Sequence, residues 1–148
     1  VFSFIKNNCE GKVNKTKNIT DSDKKLLKQT EALTKDLRKE MNNQNLNNYI
    51  KSVINISFLT NKYINDEEPW KLKKNNNEKM NNILHIALEQ IAKISILFNP
   101  IIPDATTKVL AALNIKPELR NLSFLDGNNI FKHEIKIKEL DILFKKIT

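Results

Sequence analysis

One segment of the chain, residues 61–74, combines the side-chain types that bind an unpaired nucleic-acid base. It contains the only tryptophan, Trp70, which directly follows Pro69 and lies between two glutamates and three lysines. An indole can stack on a base, lysine ammonium groups pair with phosphates, and asparagine amides bond base edges. A tryptophan that fills a junction between helices is the alternative interpretation. The residues alone leave both interpretations open.

The overall charge also favours a polyanionic partner. The 148 residues include 25 Lys+Arg and 17 Asp+Glu, a formal net charge of +8, and such an excess attracts nucleic acid without reading its sequence. Residues 1–80 carry 16 basic and 10 acidic side chains, against 9 and 7 in residues 81–148. Only two basic residues are arginines, fewer than expected of a protein that reads guanine with bidentate forks. The candidate phosphate contacts are Lys6, Lys12, Lys15, Lys17, Lys71, Lys73 and Lys74.

Catalytic and metal-binding signatures are missing from the sequence. Two glycines cannot form a glycine-rich phosphate loop, and His85 and His133 do not have the spacing of metal ligands. We interpret His85 as a satisfied core histidine, Cys9 as an unreactive thiol and residues 66–68 as a solvated acidic loop. We therefore predict no catalytic residue, no metal and no bound cofactor. No apolar run is long enough to span a membrane and no signal peptide is recognisable. The single cysteine suits a reducing compartment, and we expect a cytoplasmic protein.

Four helices are predicted to position the 61–74 segment: Thr20 to Met41, Leu46 to Ile64, Asn77 to Phe98, and Pro103 to Leu113. Thr20 and the acidic residues after it suit a helix N-terminus, and prolines mark several ends. Apolar residues recur at three- and four-residue spacing in the first and third helices. The second is apolar over more than one face, so we expect it at the centre of the bundle.

The C-terminal third carries weaker signals. Asp126-Gly127 is typical of a turn, and the stretch from Ile135 to Leu140 could be a short strand or an irregular tail. Residues 142–144, Ile-Leu-Phe, are expected to anchor this tail. The predicted fold is all-α, an antiparallel helical bundle that occupies residues 1–148 as one domain and ends in an irregular C-terminal strap.

Four segments, in the same order, resemble the anticodon-binding domain of methionyl-tRNA synthetases, which are class I enzymes. One is the Asn61-x-Tyr63-hydrophobic stretch that leads through an acidic loop to Pro69-Trp70. The others are residues 1–13 at the opening of the domain, Leu97–Pro103 as a Leu-x-x-Pro-hydrophobic-hydrophobic-Pro junction, and residues 142–147 as the closing strap with its prolines replaced. The resemblance covers nearly the whole chain.

The resemblance implies that the chain reads the CAU anticodon of methionine-accepting tRNA, initiator tRNA included. It implies that Trp70 stacks on the first anticodon base, a cytosine, and that Pro69, Asn61, Tyr63 and Asn65 belong to the same surface. In many members the position of Asn65 is acidic. The family's further Asn and Arg, and its catalytic motifs, would precede Val1. The chain is then a non-catalytic piece of a methionine–tRNA ligase whose N-terminal catalytic domain uses ATP and Mg²⁺, and we expect a monomeric parent.

Two rival functions stay open. A helical protein-interaction module would use Trp70 as a hot spot for a partner protein. The anticodon domain of a related class I synthetase, for Val, Leu, Ile or Cys, would share the helical architecture. The spacing from Asn61-x-Tyr63 to Pro69-Trp70 favours methionine over these.

Overall fold

Helices dominate the fold in a computed structural model that describes residues 1–15, 18–126 and 130–144. Within these residues there are seven helices, two 3₁₀ turns and one pair of short strands, which confirms the predicted all-α class. The elements are α1 (Phe2–Asn8), β1 (Lys12–Val13), α2 (Asp21–Lys35), α3 (Leu37–Asn42), α4 (Leu46–Glu67), α5 (Pro69–Leu72), α6 (Asn77–Phe98), α7 (Pro103–Ala112), the 3₁₀ turns Pro117–Leu119 and Leu122–Asp126, and β2 (Ile135–Lys136).

Helix α6 lies at the centre of the bundle and packs against α4, α5 and α7. Every residue from 82 to 90 is buried, so this helix is surrounded over more than two turns. We expected the second predicted helix, α4, to be central; it packs against α2, α3 and α6 but is less enclosed than α6. Helix α4 buries a single stripe and leaves Ile54 and Phe58 exposed on its other face. The buried residues of α4 are Tyr49, Val53, Ile56, Thr60 and Tyr63.

The first predicted helix is divided at Asp36 into α2 and α3. Its start is as predicted, because the Thr20 side chain accepts a hydrogen bond from the Asp23 amide and Asp23 returns one to the Thr20 amide, a capping box. Near the break, the Thr34 hydroxyl donates to the Thr30 carbonyl. Such back-bonding often bends helices, which suits a break two residues later.

The other predicted boundaries hold to within a few residues, and α6 matches its prediction. Helix α4 continues past Ile64 to Glu67, where Glu68 adopts a left-handed conformation (φ 45°) and ends it. The short helix α5 was not predicted. It begins at Pro69 because proline lacks an N–H and has a helical φ, which suits the first position of a helix.

The C-terminal strap is held by a two-residue antiparallel ladder. Lys12 pairs with Lys136 and Val13 with Ile135, and both apolar members are buried, so Ile135 belongs to a strand. The predicted anchor is only partly correct: Leu143 packs against the core, whereas Ile142 and Phe144 are 77% and 68% exposed. The Gly127 half of the predicted turn and residues 145–147 of the strap lie outside the described residues.

His85 is buried, but it is not the satisfied core histidine that we expected. Its Nε2 has no hydrogen-bond partner among the described residues, and its ring meets the edge of Phe131 with centroids 6.4 Å apart. Burial, together with the positive charge of Lys15, lowers the pKa of His85 from 6.5 to about 4. The folded protein therefore keeps this imidazole neutral.

We expect the free energy of unfolding to fall between pH 6.5 and pH 4 because of His85. Over this range the unfolded chain protonates this histidine and the folded chain does not, a contribution of about 3 kcal/mol at most. Burial raises the pKa of Glu89, one turn along α6, which opposes the trend. Urea denaturation of the native chain and of His85→Leu gives the free energy of unfolding at both pH values. The His85 contribution is the difference between the two proteins in the slope of this free energy against pH. Equal slopes would contradict it.

Candidate nucleic-acid interface

The corner between α4 and α5 presents Trp70 to solvent. Glu68 reverses the chain in its left-handed conformation, Pro69 is buried at the first position of α5, and Trp70 follows with 46% of its surface exposed. The proline thus fixes the backbone while the next side chain points outward. This geometry fits a binding indole better than a tryptophan that fills a helix junction.

Packing beneath the corner keeps α5 in place. Leu72 of α5 contacts a small buried cluster to which α2, α4 and α6 all contribute. The cluster consists of Leu26, Tyr63, Ile83 and Ile86. Beside it, Lys79 of α6 pairs with Glu67 at 3.0 Å, and the Glu67 side chain is only 15% exposed. The position of Trp70 is therefore determined by three helices besides its own.

Tyr63 belongs to the interior, which differs from the expectation that it contributes to the binding surface. It is 5% exposed, and its hydroxyl donates to Asp23 Oδ1 at 2.6 Å. Burial and the hydrogen bond to Asp23 raise the pKa of Tyr63. The Tyr63 side chain is therefore not accessible to a base, and it stabilises the bundle through its bond to Asp23.

Asp23 joins three elements through buried hydrogen bonds. Besides the Tyr63 hydroxyl, its carboxylate accepts the Asn82 side-chain amide at 2.6 Å and the Thr20 backbone amide at 2.7 Å. Asp23 is 1% exposed. We call this set, Asp23 with Thr20, Tyr63 and Asn82, the Asp23 node. Sequence reasoning identified Asp23 only as a helix-start residue, because its partners lie 40 and 59 positions away.

Asn61 and Asn65 lie on the solvent side of α4, as expected for residues of a binding surface. They are one helical turn apart, both are exposed, and neither amide is bonded to another described residue. Lys62, which follows Asn61, pairs with Asp66, which follows Asn65, at 3.0 Å. The two amides are therefore available to an external partner on the face of α4 that leads to the corner.

The lysines that follow Trp70 differ in their surroundings. Lys71 pairs with Glu68 at 2.7 Å, and Lys73 donates to the Asn8 side-chain oxygen at 2.9 Å, which links α1 to the end of α5. Lys74 is exposed. Surface ion pairs contribute little free energy, so a phosphate can compete for Lys71, whereas Lys73 also helps to hold α1 beside the corner.

Two of the N-terminal lysines, Lys6 and Lys12, lie near the strap. Lys6 pairs with Glu139 at 2.6 Å. Lys12 faces Lys136 across the ladder, and Lys136 pairs with Glu134 at 3.6 Å, which offsets part of the positive charge there. Lys15 is exposed, and its positive charge helps to lower the pKa of His85. Lys17 lies outside the described residues.

The described residues contain neither a membrane-spanning helix nor a cluster of metal ligands. No helix there is both long enough and apolar enough to traverse a lipid bilayer. No three His, Cys, Asp or Glu side chains in residues 1–15, 18–126 and 130–144 are grouped so that they could hold a metal ion.

Comparison with known families gives one match that covers most of the chain. Residues 13–148 match the family described as the anticodon binding domain of methionyl tRNA ligase. Curated relatives include the methionine–tRNA ligase of Bacteroides fragilis, 30% identical over 93% of this chain and 20% of the relative. That of Sulfurisphaera tokodaii is 28% identical over 99% of this chain and 26% of the relative. The chain thus spans about a fifth to a quarter of these proteins.

Solved structures show the same fold. The apo form of Mycobacterium tuberculosis methionyl-tRNA synthetase superposes with a TM-score of 0.88 at 19% identity, over 99% of this chain and 30% of that one. The same enzyme bound by methionyl-adenylate gives a TM-score of 0.86 over 97% of this chain and 29% of that one. These likenesses confirm the helical architecture.

Proposed function

Because this chain belongs to the family of methionyl-tRNA ligase anticodon-binding domains, we propose that it binds the anticodon loop of methionine tRNA and reads CAU. The observation that supports this most directly is the exposed Trp70 indole on the buried Pro69. An unpaired base can stack on such a ring without any rearrangement of the backbone, and each stacked base contributes about 1–3 kcal/mol.

Each neighbouring side chain has a proposed task. Trp70 stacks on the first anticodon base, the cytosine, and Asn61 and Asn65 bond base edges from the exposed face of α4. Lys71, Lys74 and Lys12 attract the phosphates, to which Lys6 and Lys73 add positive charge. Pro69 and Tyr63 position the corner. An exposed stacking residue near two exposed amides suits an unpaired loop better than a duplex.

The longer protein is proposed to be a methionine–tRNA ligase that attaches methionine to elongator and initiator tRNAs. Its catalytic domain, with the binding sites for ATP and Mg²⁺, would lie in the part outside this chain. A free cysteine, Cys9, and a role in protein synthesis fit the cytoplasm, and we propose a monomeric parent. The present domain then adds binding energy and selectivity to a reaction performed elsewhere.

Titration with a CAU stem-loop RNA tests the proposal. Trp70 is the only tryptophan, so stacking on it should quench the protein's indole fluorescence on excitation at wavelengths that tyrosine does not absorb. We expect saturable quenching by the CAU loop, much weaker quenching by loops with a scrambled anticodon, and an affinity that falls steeply as salt is raised.

The same titration separates the rival functions. A protein-interaction module would give equal, weak quenching by all loops, which would contradict the proposal. Stronger quenching by a valine, leucine, isoleucine or cysteine anticodon loop would reassign the domain to another synthetase. Tight binding that ignores salt would contradict the proposed lysine–phosphate contacts.

A further inference from the structure

Phe58 is the most exposed large apolar side chain on any helix of the described residues. It is 67% exposed, against 46% for Trp70 and 39% for Ile54, which lies one turn earlier on α4. The two more exposed apolar side chains, Ile142 and Phe144, belong to the strap rather than to a helix. A single exposed apolar side chain is common on a protein surface, so the side chains that share the face of α4 with Phe58 indicate what the ring binds.

Phe58 shares its face of α4 with the two amides of the proposed interface. Asn61 and Asn65 follow it by three and seven residues, offsets that return to the same side of a helix. At 1.5 Å per residue, Phe58 lies about 10 Å along the axis from Asn65. The exposed face therefore runs from a phenyl ring, past two amides, toward the corner that carries Trp70.

The charges on this face suit RNA. Lys51 lies seven residues before Phe58 and Lys62 four residues after it, so both flank the ring on the exposed side. Lys62 pairs with Asp66 of the same face at 3.0 Å, so the net positive charge beside the ring comes from Lys51. An aromatic ring between amides and cations is complementary to an unpaired base with its phosphates. A purely apolar patch would instead favour a protein partner.

We propose that Phe58 is a second stacking platform, which binds another unpaired base of the same RNA loop. This inference rests on the proposed function. Trp70 and Phe58 hold two different bases, with Asn61 and Asn65 between them. Because every base has a π-face, Phe58 adds affinity without identifying the base, and the amides beside it supply selectivity.

Fluorescence anisotropy with a labelled CAU stem-loop tests the platform. We expect Phe58→Ala to weaken binding about fivefold or more and Phe58→Tyr, which keeps a ring, to bind nearly as well as the native chain. Ile54→Ala is the matched control, an exposed apolar side chain one turn away without a π-face, and should have little effect. The salt dependence should be unchanged in Phe58→Ala, because no phosphate contact is lost.

Loops that carry 2-aminopurine at each unpaired position in turn identify the base. Stacking quenches this base analogue, so the position that Phe58 holds should lose its quenching in Phe58→Ala and keep it in Trp70→Ala. A different position should show the reverse behaviour. Finding one position sensitive to both variants would overturn the assignment of two separate platforms.

The remaining outcomes separate this inference from the proposed function. Native affinity in Phe58→Ala with weakened binding in Trp70→Ala would overturn the platform and retain the anticodon-binding role. Native RNA affinity combined with altered sedimentation of Phe58→Ala would assign this face to another copy of the chain and also overturn it. If neither variant alters binding, the proposed function itself fails.

Discussion

Replacing Trp70 by alanine is expected to weaken binding of methionine tRNA by about five- to a hundredfold. This factor corresponds to the loss of one stacked base, about 1–3 kcal/mol. In the proposed methionine–tRNA ligase, kcat/KM for aminoacylation should fall by the same factor, because the lost contact acts on tRNA alone. Formation of methionyl-adenylate should be nearly unchanged, since it needs no tRNA and takes place outside this chain. Steady-state aminoacylation and ATP–pyrophosphate exchange measure the two effects on one preparation.

Trp70→Phe is the matched control for this variant. It keeps an aromatic ring at the position of the indole and should recover much of the lost affinity if stacking is what binds the base. If binding required the full size or the N–H of the indole, Trp70→Phe would bind as weakly as Trp70→Ala. The indole is half exposed, so neither variant should change the urea midpoint greatly. A Trp70→Ala enzyme that charges tRNA as well as the native enzyme would remove Trp70 from the interface.

Local chemistry allowed most helix boundaries to be predicted. The capping box at Thr20, the proline at position 103 and the apolar stripe of residues 77–98 each act within one or two turns of chain, and their predictions hold. Signals of this kind depend on neighbours in sequence, so a single sequence contains them. The break at Asp36 and the helix at Pro69 were missed because they depend on the direction that the chain must take.

Long-range contacts could not be predicted. Helix α4 is apolar on two faces, and nothing in its sequence says that only one of them packs against α2 and α6. The ladder between Lys12 and Lys136 joins residues more than a hundred positions apart. Each of these contacts depends on how all the helices pack together. For this reason the sequence did not show that α6 is more enclosed than α4.

The candidate site was predicted in part. The charged neighbours of Trp70 correctly indicated a surface position. Helical periodicity could have excluded Tyr63, because it lies two residues from both Asn61 and Asn65 and therefore on the opposite side of α4. The same periodicity places Phe58 on the side of Asn61 and Asn65 and could have indicated its exposure, although the apolar character of the residue favours burial.

The Asp23 node should be the largest polar contribution to stability near the site. Asp23→Ala removes a buried carboxylate and leaves the Tyr63 hydroxyl and the Asn82 amide without their acceptor. It also removes half of the capping box. We expect the free energy of unfolding to fall by about 3–5 kcal/mol, measured by urea denaturation followed by circular dichroism. A loss under about 1 kcal/mol would contradict the buried hydrogen bonds.

Two tyrosines on one helix distinguish support of the corner from general stability. Tyr63→Phe removes one donor from Asp23 and should cost about 1–2 kcal/mol of stability. Tyr49→Phe removes the hydroxyl that donates to the Leu97 carbonyl. Tyr49 lies about 21 Å from Tyr63 along α4. Similar losses of stability are expected. Leu72 of α5 packs against both the small cluster that contains Tyr63 and the main core that contains Tyr49. Because Tyr63 is much nearer to the corner along α4, only Tyr63→Phe should shift the emission of Trp70 and weaken RNA binding, by about two- to fivefold, in fully folded protein. Equal RNA affinity in both variants would limit the Asp23 node to stability, whereas a difference would show that a residue without access to the RNA sets the geometry of its stacking platform.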